Sequence, residues 1–436
     1  MKILCIVPPY IPSYFNAGHH LPVFQVAAYL RKAIHGVQVT ACDFGAVNST
    51  WRDVCELLVK RFDLIAVLND FDAIDGFERF VSYAREISPD ARLLTFGRGS
   101  KQVPGLFERY GFDAIVTSGD YEAGAAGYIS FLRGSARPNG VSLRDDGYSA
   151  APPGRFLEAA DWALPEIDEI PYEAYDRLYA NDLAKFCGIP ARRELVVPVA
   201  RGCPVGCKFC DVPSQQGLKE RRVDVETVIR YIESCLARQP FEYVSFYAPT
   251  FTLKRSWVLE LCGAMQERLP SLRWKCVTTL AHLDHDLLRA MGRAGCVRVG
   301  IGIETFGDGA AKLLPKLKRG AASMLDHIAD VCTKVGIEIN CFLMVGMPDE
   351  RIKDAARTVN ALIARGFRVR PTVFTPYGLM SDALEAKGFA EFNRQLLLHG
   401  SWTTEERAAA YDVLYANAQD KPTQVVERIP KRRPAE

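Results

Sequence analysis

Two blocks of this chain alternate short apolar runs with amphipathic stretches of helical period, and that alternation restricts the fold more than any other feature. Strands and helices that alternate along a chain build parallel sheets covered by helices, an α/β architecture. In residues 1–133 the runs at 3–7, 37–43, 64–68, 93–96 and 114–117 predict five strands, with helices over 24–32, 51–61 and 77–87. The expected fold there is a doubly wound, Rossmann-like domain. In residues 191–378 the runs at 195–199, 243–246, 274–277, 297–301, 338–344 and 369–374 predict six strands, with helices including 225–237, 257–268 and 355–365. Six such units fit a partial (β/α)6 barrel, because the eight-unit kind typically takes about 250 residues.

Between the blocks, residues 134–154 carry four Gly and three Pro with little apolar periodicity, and residues 159–190 carry further Pro and aromatic side chains. Together, residues 134–190 read as a linker and connector. Residues 379–436 read as a short C-terminal helical segment ending in a basic tail, Lys431-Arg432-Arg433.

Apolar residues make up 48% and charged residues 24% of the chain, which excludes collagenous, disordered and small disulfide-scaffold classes. The net charge of +2 gives no broad electrostatic reason to expect nucleic acid or an anionic membrane as partner. No apolar stretch approaches a membrane span, and the start lacks the pattern of an export signal. The thirteen cysteines are therefore expected in a reducing compartment, the cytoplasm, and their odd number argues further against a disulfide framework. Neither a G-x-G-x-x-G after the first strand nor a Walker-type phosphate loop occurs.

Three cysteines stand apart from the rest. In Ala200-Arg201-Gly202-Cys203-Pro204-Val205-Gly206-Cys207-Lys208-Phe209-Cys210 they follow a predicted strand with the spacing C-x3-C-x2-C. Gly202, Pro204 and Gly206 suit a loop that folds back on itself. Three thiolates are too few to close a structural zinc site, and no histidine stands nearby as a fourth ligand. They are enough to hold a [4Fe–4S] cluster by three corners and leave one iron open. A trio of ordinary buried thiols is the alternative.

With Phe209 as the aromatic, this stretch resembles the C-x3-C-x-aromatic-C signature of the radical S-adenosylmethionine (SAM) superfamily. The resemblance implies that Cys203, Cys207 and Cys210 are catalytic and metal-binding, that the open iron binds SAM, and that cleavage of SAM gives a 5′-deoxyadenosyl radical that removes a substrate hydrogen. It also implies an electron donor such as flavodoxin or ferredoxin. Gly300-Ile301-Gly302-Ile303-Glu304-Thr305 looks like the family's fourth-strand segment, which places Glu304 near SAM. Met344-Val345-Gly346-Met347-Pro348-Asp349-Glu350 looks like its fifth-strand turn, with Met347 along the adenosyl group. Arg222 stands where relatives place an arginine on the SAM carboxylate; a solvated helix start is its alternative. Asn340 is a further candidate contact. Thr375-Pro376-Tyr377-Gly378 resembles the sixth-strand end. The family's G-G-E after the second strand is missing, and Tyr247-Ala248-Pro249-Thr250 stands in its place.

A doubly wound domain ahead of such a barrel resembles the cobalamin-binding (B12-dependent) subfamily. Pro8-Pro9, Ala27-Ala28-Tyr29-Leu30-Arg31-Lys32 and Ser118-Gly119-Asp120-Tyr121-Glu122 carry that likeness. A fold of this type binds flat cofactors at the C-terminal ends of its strands. The candidate contacts are Asn69, Asp70, Phe71, Gly97, Arg98, Gly119 and Glu122. No D-x-H-x-x-G occurs, so the resemblance implies a cobalt without an imidazole, and His19-His20 read as ordinary surface. A scaffold that binds nothing is the alternative for this domain.

The expected function is a cobalamin-dependent radical SAM methyltransferase acting on an unactivated carbon of a small molecule. The alternatives are a non-methylating radical reaction (dehydration, rearrangement, oxidation or ring contraction) and a non-catalytic iron–sulfur regulator. An RNA-modifying role finds no RNA-binding module or basic stripe to support it. Substrate-pocket candidates at the strand ends are Tyr247, His282, Arg298, Asn340 and Tyr377.

Overall fold

The computed structural model describes residues 1–10, 19–70, 74, 76–178, 188–189, 191–386, 388–389, 403–415 and 424–431. The chain forms two compact units. The first comprises Met1–Tyr179, Asp211–Leu218 and Pro376–Leu396; the second comprises Ala180–Cys210, Lys219–Thr375 and Leu397–Glu436.

In the first unit, β1 (Lys2–Val7), β2 (Gln38–Asp43), β3 (Leu64–Asn69), β4 (Arg92–Gly97), β5 (Ala114–Val116) and β6 (Val141–Leu143) form one sheet in the order β2-β1-β3-β4-β5-β6. The first five are the expected strands and pair in parallel. All six residues of β3 are buried, as a strand covered on both faces requires. The winding direction reverses between β1 and β3, where folds of this class place their ligands. The sixth strand falls inside the expected linker. It pairs antiparallel with β5 from Ala114↔Leu143 to Val116↔Val141, which draws the first unit well past residue 133.

The helices here are α1 (Leu21–Ala33), α2 (Trp51–Leu58), α3 (Phe77–Ile87), α4 (Arg98–Gln102), α5 (Pro104–Arg109), α6 (Tyr121–Leu132), α7 (Tyr172–Leu178) and α8 (Val212–Gln216). Thr50 and Asp53 cap α2 reciprocally, the Thr50 N–H donating to Asp53 at 2.7 Å. The short α8 is fixed by polar contacts: Arg98 pairs with Asp211 at 3.1 Å, the Lys101 ammonium donates to the Gln215 carbonyl at 2.6 Å, and the Tyr121 hydroxyl donates to the Gln215 side chain at 3.0 Å. From the C-terminal stretch, Phe389 is fully buried in the same core as Phe77, Phe107 and Phe112, its ring edge-on to Phe107 at 6.4 Å. Tyr377, which the sequence suggested as a pocket residue, packs against this core.

In the second unit, β7 (Glu194–Pro198), β10 (Tyr243–Tyr247), β11 (Arg273–Thr278), β12 (Cys296–Glu304), β13 (Glu338–Val345) and β14 (Arg368–Val373) form an all-parallel sheet in chain order. The short β8 (Ala200–Arg201) and β9 (Arg221–Arg222) pair antiparallel beside it. Between the strands run α9 (Val225–Arg238), α10 (Arg255–Arg268), α11 (His285–Arg293), α12 (Ala321–Val335) and α13 (Ile352–Ala364); α14 (Thr404–Tyr415) follows. This is the expected partial (β/α)6 barrel. Asp224 and Asp284 cap α9 and α11 by accepting from Thr227 N and Leu287 N, each at 2.8 Å.

Near the N-terminal ends of these strands lies a buried polar floor. Tyr243 donates to Glu194, which pairs with Lys275 at 3.1 Å, and Arg298 pairs with Glu338 at 2.6 Å. Arg298 is thereby placed in the floor and not at the strand tips, against the sequence-based expectation. Among the described residues, no helix is long and apolar enough to cross a membrane.

Candidate functional site

The cysteine loop grows directly out of β8. Gly202 turns it with φ +85°, a conformation that β-carbons disfavour, and Gly206 makes a second such turn. Pairing of Ala200 with Arg222 and Arg201 with Arg221 fixes the strands that flank the loop. Cys203, Cys207 and Cys210 are all half-buried, and the Cys210 N–H donates to the Cys207 carbonyl at 3.2 Å. Phe209 packs against Ala310, Leu314 and Met347, beside Met344 and Phe374, so two residues singled out from separate motifs share one apolar cluster.

Four cysteines elsewhere in the chain behave differently. Burial pushes the thiols of Cys5, Cys262, Cys332 and Cys341 up to about 12, which makes them inert small hydrophobes. Burial also raises the Cys207 thiol, but there Lys318 opposes the shift, while Glu304 and Cys203 add to it.

Glu304 ends β12 in a left-handed conformation, φ +66°, at an irregularity in the β12–β13 pairing. Its carboxylate accepts from Lys318 Nζ at 2.7 Å, and both side chains are about nine-tenths buried. Burial disfavours the Lys318 charge, yet Glu304 and Cys207, with Cys210 farther down the order, hold its ammonium above the ordinary lysine value. Nothing in the sequence around residue 318 marks it out.

Thr250 occupies the place of the missing G-G-E motif. Its hydroxyl lies 3.6 Å from Cys203 Sγ, and its carbonyl accepts from Arg222 Nη2 at 3.3 Å. The Arg222 side chain is 5% exposed, stacks over Trp257 at 4.6 Å, pairs with Glu220, and leaves Nε and Nη1 buried without a hydrogen-bond partner. Buried donors of that kind are costly unless a ligand meets them. His282, after β11, likewise buries an unpartnered Nε2; burial lowers its pKa, and Glu220 opposes that.

Asn340 is buried on β13, opposite Gly300, and its Oδ1 has no hydrogen-bond partner. Glu350 closes the turn after β13: one oxygen accepts from Thr305 Oγ1 at 2.8 Å, the other from Gly346 N at 3.1 Å and Met347 N at 3.4 Å. At the strand tips Tyr247 and Val277 stay exposed, while Gly300 is buried, the Phe342 ring filling the space a β-carbon would take.

In the first unit the structure gives the expected cofactor contacts internal duties. The Asn69 side chain is fully buried, donating to Thr95 Oγ1 at 2.7 Å and accepting from Ser100 N at 2.9 Å. Gly97 lies so close to the Asn69 carbonyl that a β-carbon would collide with it, and Gly119 is pressed in the same way against Gly154 and Arg155. The chain's own backbone is enough to require these glycines. Glu122 is buried in α6, Asp70 is half-buried, and Phe71 lies outside the described residues. His20 is not a surface residue. It is 6% exposed, with Nδ1 at 2.8 Å from Asp43, which also accepts from the Tyr175 hydroxyl at 2.6 Å.

Among the described residues no three His, Cys, Asp or Glu side chains converge tightly enough for a single metal ion. A four-iron cluster holds its cysteine sulfurs farther apart than one ion holds its ligands. A glycine-turned loop with three half-buried thiols, an apolar wall at Phe209 and a cation at Cys207 fits such a cluster.

Residues 197–362 match the family described as the radical SAM superfamily. The chain is 23% identical over 421 residues to the anaerobic magnesium-protoporphyrin IX monomethyl ester cyclase of Rubrivivax gelatinosus, covering 90% of this chain and 72% of that protein. It is 23% identical over 176 residues to the bacteriochlorophyllide d C-12(1)-methyltransferase of Chlorobaculum tepidum, covering 38% and 37%. Among solved structures, the radical SAM methyltransferase TsrM of Kitasatospora setae, with cobalamin and a [4Fe–4S] cluster bound, superposes with a TM-score of 0.70 at 15% identity over 94% of this chain and 90% of TsrM. Its tryptophan-bound form gives 0.68 at 16% identity, over 87% and 75%. At that identity the likeness shows a common fold, a doubly wound domain followed by a partial (β/α)6 barrel.

Proposed function

We propose that this chain is a cobalamin-dependent radical SAM methyltransferase acting on a carbon of a flat, aromatic small molecule. The cysteine loop carries the proposal: three half-buried thiols on one glycine-turned loop, with a buried Lys318–Glu304 pair beside them. Cys203, Cys207 and Cys210 would hold the cluster, and Arg222, Glu304, Asn340 and Met347 would line the SAM site. When bound, cluster and SAM supply a carbon radical that removes a substrate hydrogen, and cobalamin supplies the methyl carrier.

The protein's residues bind, orient and exclude water. Phe209 and Met347 form a dry wall beside the loop. The unpartnered Arg222 donors suit a carboxylate, and Glu304 suits an ammonium or ribose hydroxyl. Tyr247 and Val277, exposed at the strand tips, suit a planar ring. The named substrates of the three relatives, a protoporphyrin ester, a bacteriochlorophyllide and tryptophan, are all of that kind. The reduced cluster state would require a cytoplasmic flavodoxin or ferredoxin as donor.

A second reading is supported by the relative that covers most of this chain, which is named a cyclase: a ring-forming radical reaction without methyl transfer. Anaerobic reconstitution with iron, sulfide and cobalamin, followed by incubation with methyl-labelled SAM and planar aromatic acceptors, separates the two. Label in the product supports methyl transfer. Deoxyadenosine formation with no label in the product favours the second reading, and the lack of any cluster absorption overturns both.

A further inference from the structure

We infer that Arg98 and Lys101, on the short helix α4, are positioning residues for Cys210, because they anchor the turn that begins at the next residue. The inference rests on the assignment of Cys203, Cys207 and Cys210 as cluster ligands. Asp211, joined to Cys210 by a peptide bond, opens α8: its carbonyl accepts from Gln215 N at 3.0 Å and from Ser214 Oγ at 2.7 Å. Its side chain makes no capping bond and pairs instead with Arg98 at 3.1 Å. The Lys101 ammonium donates to the carbonyls of Gln215 and Gly119, each at 2.6 Å, and lies over the Tyr121 ring at 4.3 Å. The Tyr121 hydroxyl in turn donates to the Gln215 side chain at 3.0 Å. The turn is thereby held at both ends, at Asp211 and at Gln215.

The helix that holds α8 is itself fixed to the sheet. Ser100 N donates to the buried Asn69 side chain at 2.9 Å and Ser100 Oγ to the Val116 carbonyl at 2.8 Å, which ties α4 to β3 and β5. Gly99 lies so close to the rings of Phe107 and Phe389 that a β-carbon would collide with both. With Gly99 and Ser100 buried, Arg98 and Lys101, three residues apart, share the remaining side of the helix and reach α8 from there. A loop cysteine loses backbone and side-chain freedom when it ligates iron, and groups that fix its neighbours lower that cost. On its other side Cys210 is tied by its own N–H to the Cys207 carbonyl at 3.2 Å. The anchored Asp211 therefore leaves the third cysteine little room to leave a cluster once it is bound.

The test uses full-length protein reconstituted anaerobically with iron and sulfide, without SAM, cobalamin or substrate. Two readings are taken: the rate of iron loss to a chelator and the electron paramagnetic resonance spectrum of the reduced cluster. The proteins are wild type, Arg98→Met, Asp211→Ala, their double variant, Lys101→Met, Lys101→Arg and the exposed control Arg52→Met. Arg98→Met and Lys101→Met are each expected to lose iron several-fold faster and to change the spectrum, and Lys101→Arg to restore most of the difference. Because Arg98 acts through Asp211, the double variant should lose iron no faster than either single variant. Arg52→Met, which breaks a surface pair with Glu56, should match wild type. Wild-type iron retention and spectrum in Arg98→Met and Lys101→Met overturn the inference, as do additive effects in the double variant or an equal change in the Arg52 control. If Lys101→Met does not fold, Arg98→Met, at a side chain 38% exposed, decides by the same two readings. A wild-type protein that takes up no cluster would instead remove the cluster assignment itself.

Discussion

The Glu304 carboxylate lies directly over the α-carbon of Gly302, in the space a β-carbon at that residue would fill, and from there it meets Lys318. Gly302→Ala should therefore push the carboxylate off the lysine without disturbing the strand, because Gly302 is not among the residues with left-handed backbone. Charged hydrogen bonds are worth about 1.5–3 kcal/mol, so loss of the Glu304 contact should weaken SAM binding on the order of tenfold or more. Equilibrium dialysis of SAM against reconstituted variant and wild type measures it, with an unaltered cluster spectrum expected in both. Equal affinities would show that Glu304 does not face SAM.

The cysteine assignment predicts a sharp division among the thiols. Alanine at Cys203, Cys207 and Cys210 together should abolish iron–sulfur absorption and SAM cleavage. Alanine at Cys262 and Cys332, whose thiols burial holds near 12, should leave both intact. A redox-active four-iron cluster surviving in the triple variant would refute the assignment.

Glu350 predicts a pH dependence of stability. Burial raises its carboxyl from the ordinary 4.5 to about 7, against the lowering effect of its bonds to Thr305, Met347 and Gly346, while Asp354 adds to the rise. Between those two values the native state keeps the proton and the unfolded chain loses it. The contribution is thus fully present below pH 4.5 and falls away as pH rises toward 7, by at most about 3 kcal/mol. Glu350→Gln, which can keep the same partners with Thr305 as acceptor, should lack that slope. Denaturant midpoints of both proteins from pH 5 to 8 should converge at the acid end and separate in favour of the variant at the other. Parallel curves would contradict the raised carboxyl.

Asn69 is predicted to act in folding before it acts on any ligand. Asn69→Ala strands the Ser100 N–H in the interior and removes the Thr95 partner, a loss of about 1–3 kcal/mol. Urea unfolding should register it with no cobalamin present. If stability is unchanged while cobalamin retention falls, the side chain serves the cofactor instead.

Most of the sheet architecture could be read from the sequence because strands buried on both faces leave continuous apolar runs, as Leu64–Asn69 does. Val141–Leu143 escaped notice: three residues in a Gly- and Pro-rich stretch have no periodicity, and their pairing with β5 is decided at long range. The cysteines and Glu304 could be read because their chemistry is local to a motif. Lys318 and Thr250 could not, since each gains its role from a partner 14 and 47 residues away respectively. Gly97 was legible as special, but its cause was not: the Asn69 carbonyl beside it comes from the neighbouring strand. His20 was misjudged as surface for the same reason, its acid partner Asp43 lying on β2.

The first unit's core is closed by Phe389, fully buried against Phe107, and α8 is supplied by residues that follow the third cysteine. A chain emerging from the ribosome makes the five parallel strands early, yet it cannot fill this core until residue 389 has been synthesised. The N-terminal unit is therefore begun first, yet its core waits for a residue that follows most of the second unit. Until then its interior is open at the place Phe389 will occupy, and a fragment cut at residue 179 would stay in that unfinished state.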